Sequence, residues 1–330
     1  MQYRPLGSTG INVSVIAFGA GPVSQLLTGD QAEVQRATIE AAVAAGVNWF
    51  DTAATYGEGR SEENLGRTLA ELGLADRVHV ATKVRIMPDR VHAIAATARD
   101  SVLASLRRLR LERVTLLQVH NSITAVAGAQ PTSLTPAHVL SPGGLLDEMK
   151  KLQREGLVEH LGLTGLGEPA ALGEVIDSGQ FASVQIPYNL LNDSAGRDVS
   201  FDLDPDETNY GNVIGHCARR GMGVFAIRVL AGGALADRPP SPHTLKTPFF
   251  PLALYERDRR RAEDLARSLP KGMTLPEAAV RFALSHPQIT SAIIGLATPE
   301  EVAAATHYAA ADPPPSGCGS HQMGLNPLSP

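Results

Sequence analysis

Cysteine is scarce: Cys217 and Cys318 are the only two in 330 residues. Their spacing suits neither a disulfide framework nor a metal knot, so both read as ordinary free thiols and a stapled secreted protein is not indicated. Long basic runs are missing too, and 29 Lys and Arg stand against 34 Asp and Glu, a net charge of -5. Nothing electrostatic recommends a nucleic acid or an anionic membrane, and a small-molecule partner is expected instead. The opening Met-Gln-Tyr-Arg-Pro-Leu-Gly lacks the basic-then-apolar pattern of a signal peptide. The longest fairly apolar stretch, Ile11 to Leu27, is interrupted by Asn12, Ser14, Gly19, Gly21, Pro22, Ser24 and Gln25, which makes it unfit to span a membrane. A soluble, cytoplasmic protein is the resulting expectation. Absent as well are a Gly-x-Ser-x-Gly nucleophile elbow, a Gly-Lys-Ser/Thr phosphate loop and a His-Glu-x-x-His metal motif.

What the chain does have is a repeated alternation. Short Val- and Ile-rich runs recur between longer segments of helical character, the pattern of buried parallel strands and amphipathic helices. Strands are expected at Val13 to Phe18, Val47 to Phe50, Val78 to Thr82, Val114 to Val119, Val158 to Leu163, Ser183 to Ile186, Gly223 to Ile227 and Ser291 to Ile294. Helices are expected at Asp30 to Ala45, Glu62 to Leu72, Val91 to Leu109, Gly144 to Glu155, Pro169 to Ser178, Tyr210 to Arg220, Leu275 to Leu284 and Pro299 to Ala305. Asp30 reads as an N-cap, and Gly46 and Gly156 as helix stops. Eight strand-helix pairs in one chain favour a single (β/α)8 barrel over an open doubly wound sheet. Asn121 to Pro142, Ala231 to about Phe250 and the Pro- and Gly-rich tail from Asp312 to Pro330 fall outside the pattern. In a barrel the first two would overhang the face where active sites are built.

Polar residues interrupt the ends of three neighbouring strands. Asp51 follows the second, Lys83 ends the third in "HVATKV", and His120 ends the fourth in "LLQVHN", with Tyr56 one tight turn beyond Asp51. Taken singly each has an ordinary reading: a helix cap, a surface lysine, a core histidine, a packed tyrosine. Together they read differently, because an unpaired buried ammonium would cost several kcal/mol and Asp51 is its obvious counter-charge. A tyrosine with an unperturbed pKa of about 10 needs roughly 3 to 4 kcal/mol of help to work as an acid and base near neutrality. The ammonium of Lys83 supplies that help, and His120 orients a carbonyl or relays a proton. Proton donors without nucleophile or metal call for a cofactor that brings a hydride.

These residues resemble the aldo-keto reductase family. "NWFDTAATYGEGRSEENLGRTL" is similar to its signature around the aspartate and tyrosine, "VATKV" to its lysine segment and "LLQVHN" to its histidine segment. "KLQREGLVEHLGLTG" and "VQIPYNLLN" resemble the stretches that flank its cofactor site, and the likeness runs in order from Arg4 to Ala305. The resemblance implies an NAD- or NADP-dependent (β/α)8 barrel without a Rossmann fold, with Asp51, Tyr56, Lys83 and His120 as the catalytic tetrad. It implies a small carbonyl, alcohol or sugar as substrate; a cofactor-binding regulatory protein on the same scaffold is the alternative.

The cofactor contacts carry over with departures. Gln185 matches the family's carboxamide-binding Gln, while its Ser-Asn pair is here Thr164-Gly165, which keeps a hydroxyl and loses an amide. The Tyr-Ser-Pro-Leu segment is Ile227-Arg228-Val229-Leu230, so the stacking ring is missing; Arg228 would reach the pyrophosphate, with Leu230 and Gly232 along its path. Gly21 and Asp51 complete the expected contacts. In "IIGLATPEEV" many NADP-using relatives carry basic residues where this chain has Ala297 and Glu301. A carboxylate there repels a 2′-phosphate and accepts from a ribose hydroxyl, which favours NAD.

Overall fold

The computed structural model describes residues 1–199, 207–246 and 252–311. The tail from Asp312 to Pro330, with Cys318, and the loop end at Phe250 lie outside the described residues.

The apolar runs form strands because β-branched and aromatic side chains suit a sheet covered on both faces; in the second run the strand begins at Trp49 rather than Val47. A short antiparallel hairpin, β1 (Tyr3–Pro5) and β2 (Asn12–Ser14), comes first. The barrel strands follow: β3 (Ile16–Gly19), β4 (Trp49–Asp51), β5 (His79–Val84), β6 (Val114–Val119), β7 (Val158–Thr164), β8 (Ser183–Pro187), β9 (Gly223–Ile227) and β10 (Ser291–Gly295). They pair in parallel and in sequence order, and β10 closes on β3. The expected single-domain (β/α)8 barrel is therefore observed. The helices are α1 (Ala32–Ala44), α2 (Arg60–Leu72), α3 (Ile94–Leu109), α4 (Pro136–Leu140), α5 (Leu145–Arg154), α6 (Pro169–Asp177), α7 (Val213–Arg219), α8 (Leu252–Ser268), α9 (Leu275–Ser285) and α10 (Pro299–Ala310).

The structure corrects three expectations. Val13 to Phe18 is two strands rather than one, because the chain changes partners at Val15: its N–H donates to Gln2, while its carbonyl accepts from Ala292. Asp30 does not cap α1; the N-cap is Gln31, so the Asp30 side chain stands one residue too early and faces Arg60 at 3.6 Å in solvent. The 17-residue α8 and the short α4, inside the stretch Asn121 to Pro142, are helices beyond the eight expected. Gly46 and Gly156 do end α1 and α5, with φ of 90° and 78° that only glycine adopts without strain. Cys217 is a buried free thiol, pushed up to about 12 by burial.

Side chains alternate inward and outward along each strand, so residues two apart share the barrel interior. At the N-terminal end Ala17, Trp49, Ala81, Leu116, Phe225 and Ile293 form an apolar plug with Leu6 and Val13 of the hairpin region. Trp49 and Phe225 bring their ring centroids to 5.0 Å. Two residues further along β4, β5 and β6 stand Asp51, Lys83 and Gln118, and Gln185 of β8 meets them by its hydrogen bond to Asp51. An apolar floor thus supports a polar layer at the C-terminal rim, where active sites of such barrels are built.

Candidate active site

The polar layer is held by direct contacts. Lys83 Nζ lies 2.5 Å from Asp51 Oδ1, 2.8 Å from the Thr52 carbonyl and 3.1 Å from the Tyr56 hydroxyl, which gives each ammonium proton an acceptor. It also stands 4.7 Å from the centre of the Tyr56 ring. Burial works against the lysine's charge, but the charges of Asp51 and Tyr56 and their hydrogen bonds more than offset it, and the pKa is raised. Lys83 and Asp51 are only 2% and 3% exposed, so the ion pair is shielded from screening by salt.

Asp51 Oδ2 accepts from Gln185 Nε2 at 2.5 Å and from Gln118 Nε2 at 3.1 Å. Gln118 is a site residue the sequence reading missed. The signal was present: it is the one polar position inside the apolar run Leu116-Leu117-Gln118-Val119, two residues before His120 on the same face of β6.

Tyr56 owes its placement to the sequence that follows it. Gly57, Glu58 and Gly59 take φ of 58°, 58° and 94°, a left-handed turn that reverses the chain into α2. The glycines make two of these three positions strain-free, and the backbone of Gly59 leaves room for Arg108, whose Cδ would lie 2.8 Å from a Cβ there. Arg108 then reaches the buried Glu62, which also accepts from Thr82 beside Lys83. Ser61 donates to the Ala20 carbonyl at 2.8 Å, fixing the start of α2 against the loop after β3.

His120 sets its ring edge-on to Tyr56, with centroids 5.7 Å apart, and its Nδ1 is 3.4 Å from Thr55 Oγ1. Burial, then the charges of Arg85 and Lys83, hold its pKa well below 6.5, so the imidazole is neutral at pH 6.5 and above. Arg85 was also missed by the sequence reading; it stands two residues beyond Lys83.

The structure therefore brings Asp51, Tyr56, Lys83 and His120 together, with Gln185 in direct contact. Gly21 adjoins them: a Cβ there would stand 3.8 Å from Tyr56 Cε2. Thr164 ends β7 in register with Gln185, and its buried Oγ1 has no hydrogen-bond partner among the described residues. At Gly165 a Cβ would meet Ile186 Cδ1 and Val184 Cγ2 at 2.9 Å each, so no side chain fits without displacement.

The other expected cofactor contacts gather at the ends of β9 and β10. Arg228, Ala231, Gly232 and Gly233 have φ of 54°, 47°, 68° and 110°, a sharply folded segment whose Arg228 carbonyl accepts from Asn189 Nδ2 at 3.0 Å. Leu230 packs against the apolar core there. Glu301 accepts the Ala297 N–H at 2.8 Å and pairs with Arg238 of the loop after β9. On the sequence alone Glu301 is free to face a ligand; in the fold it is tied to Arg238, a residue far away in the chain. Among the described residues no cluster of three potential metal ligands exists, and no helix is long and apolar enough to cross a membrane.

Comparison with known proteins adds an independent line. The profile of the Aldo/keto reductase family matches residues 15–313. L-galactose dehydrogenase of Arabidopsis thaliana is 27% identical over 305 residues, spanning 92% of this chain and 86% of that protein. D-threo-aldose 1-dehydrogenase of a Pseudomonas species is 25% identical over 333 residues, spanning 93% and 92%. Among solved structures, the holo form of an aldo-keto reductase from Bacillus halodurans aligns with a TM-score of 0.72 at 20% identity, over 100% of this chain and 97% of that one.

Proposed function

The chain belongs to the aldo/keto reductase family of NAD(P)-dependent oxidoreductases, and on that premise we propose that it interconverts an alcohol and a carbonyl on a sugar-type substrate, with Tyr56 as general acid and base. The observation that carries this reading is the contact of the Tyr56 hydroxyl with the buried Lys83 ammonium at 3.1 Å, backed by Asp51. A cation so placed stabilises the tyrosinate that proton abstraction requires.

The residues fit a nicotinamide. Thr164 presents a buried hydroxyl without a partner, and Gln185, which donates its amide N–H to Asp51, keeps its carbonyl as an acceptor. A carboxamide offers the matching acceptor and donor. Thr164 and Gln185 would hold it, Gly21 and Asp51 would border the ring, and Arg228, Leu230 and Gly232 would line the pyrophosphate. When bound, the nicotinamide takes up or supplies the hydride. In oxidation Tyr56 accepts the proton of the substrate hydroxyl; in reduction it returns a proton to the carbonyl oxygen. Neutral His120 orients that oxygen with a ring N–H.

Oxidation of a sugar at its anomeric carbon is the favoured direction, supported by the two dehydrogenase relatives that span nearly the whole chain. NAD is the favoured cofactor. Ala297 and Glu301 offer no cation to a 2′-phosphate, and Arg238 is already engaged by Glu301. Separate titrations with NAD+, NADH, NADP+ and NADPH test the proposal. Tighter binding of NAD(H) is expected; tighter NADP(H) binding overturns the cofactor assignment, and no binding by any of the four overturns the enzymatic reading.

A further inference from the structure

The Asp51 carboxylate is divided between two kinds of partner. Oδ1 faces the Lys83 ammonium, while Oδ2 accepts from two amides that reach across the barrel from β6 and β8. Gln185 has a second use at the proposed cofactor site. Gln118 has none: it is fully buried below the rim, and among the described residues its side chain makes one hydrogen bond, to Asp51. Its Oε1 has no partner among the described residues.

A buried amide with an orphaned carbonyl is unfavourable, and an apolar side chain of the same size would avoid that cost. Turning the amide over would set Oε1 against the carboxylate oxygen and leave the N–H groups unused, so the contact with Asp51 Oδ2 dictates the orientation. The neighbouring strand makes room for it. Gly162 pairs in register with both Gln118 and Ser183, and a Cβ there would lie 3.1 Å from Gln118 Cγ and 2.7 Å from Ser183 Oγ.

We infer that Gln118 is a positioning residue which draws the charge of Asp51 toward Oδ2 and so leaves more of the Lys83 field acting on the Tyr56 hydroxyl. The inference rests on the proposed proton-transfer role of Tyr56. A hydrogen bond that stabilises negative charge on one carboxylate oxygen weakens the neutralisation of a cation at the other.

The test is the pH dependence of kcat for alcohol oxidation in the wild type, Gln118→Met and Gln118→Glu, with Tyr56→Phe run in parallel. Met matches the length of Gln and donates nothing; the carboxyl of Gln118→Glu donates when protonated and repels Asp51 when ionised. Gln118→Met should lose about tenfold in kcat and move the inflection of the profile up by about one pH unit, with cofactor affinity held within about threefold. Gln118→Glu should approach wild-type turnover in acid and fall away as pH rises. Wild-type inflections in both variants, whatever their melting temperatures, would reduce Gln118 to a filler of the core. If Gln118→Met does not fold, the profile of Gln118→Glu decides alone. Undiminished turnover in Tyr56→Phe would instead remove the reading beneath the inference.

Discussion

Lys83 Nζ and Asp51 Oδ1 lie 2.5 Å apart in a layer almost closed to solvent. Removing one member of such a pair leaves a buried charge without its counterpart, at a cost of about 3–5 kcal/mol. Lys83→Met should therefore unfold at markedly lower urea concentration than the wild type. Combining it with Asp51→Asn should recover much of the stability and none of the turnover. Equilibrium denaturation of both variants checks this; a double variant less stable than Lys83→Met would contradict the pairing account.

His120 gives a pH dependence of known sign. Its pKa in the folded chain is held well below 6.5, first by burial and then by Arg85 and Lys83. The unfolded chain binds the proton near pH 6.5 and the folded chain refuses it, so stability is lost as pH falls below that value. His79, His160, His243 and His286 are lowered too and act in the same direction. His120→Asn should flatten the decline between about pH 6.5 and 5 by up to one proton, about 1.4 kcal/mol per pH unit. Unfolding free energies at several pH values in that window measure the slope, and an unchanged slope would place the His120 titration elsewhere.

Gly165 tests the departure from the family's Ser-Asn pair. Replacing it by Asn restores the missing amide on paper, yet the new Cβ would meet Ile186 and Val184 at 2.9 Å and the Gln185 carbonyl at 3.2 Å. Gly165→Asn should lower stability by about 1–3 kcal/mol through overpacking and should not tighten cofactor binding. Thermal melting with and without NAD+ separates the two effects; stronger binding at undiminished stability would show that the strand end yields.

Much of the barrel could be read from the chain because each strand is an apolar run with little polar interruption. The same continuity hid what mattered in two places. Val13 to Phe18 carries no sign of the change of partner at Val15, which is set by where Gln2 and Ala292 come to lie. Gln118 was masked by its apolar neighbours, although its alternation with Leu116 and His120 puts all three on one face. Helix α8 escaped for the opposite reason: its sequence is crowded with charge, and only Tyr255, Asp258, Ala262 and Leu265 carry its buried stripe. Asp51, Lys83 and His120 were legible because charge or imidazole at the end of an apolar strand is rare without a partner. The tie between Arg238 and Glu301 depends on the loop after β9 folding back to α10, which no local pattern encodes.

In the proposed mechanism Tyr56 moves the proton while other residues hold the cofactor. Tyr56→Phe tests it most directly: kcat for NAD+-dependent oxidation of aldoses, measured alongside the dissociation constant for NAD+ by fluorescence titration. Loss of the acid-base group should lower kcat by about 10²- to 10⁴-fold and leave the dissociation constant within a few-fold of the wild type. A variant that turns over at the wild-type rate would contradict the account.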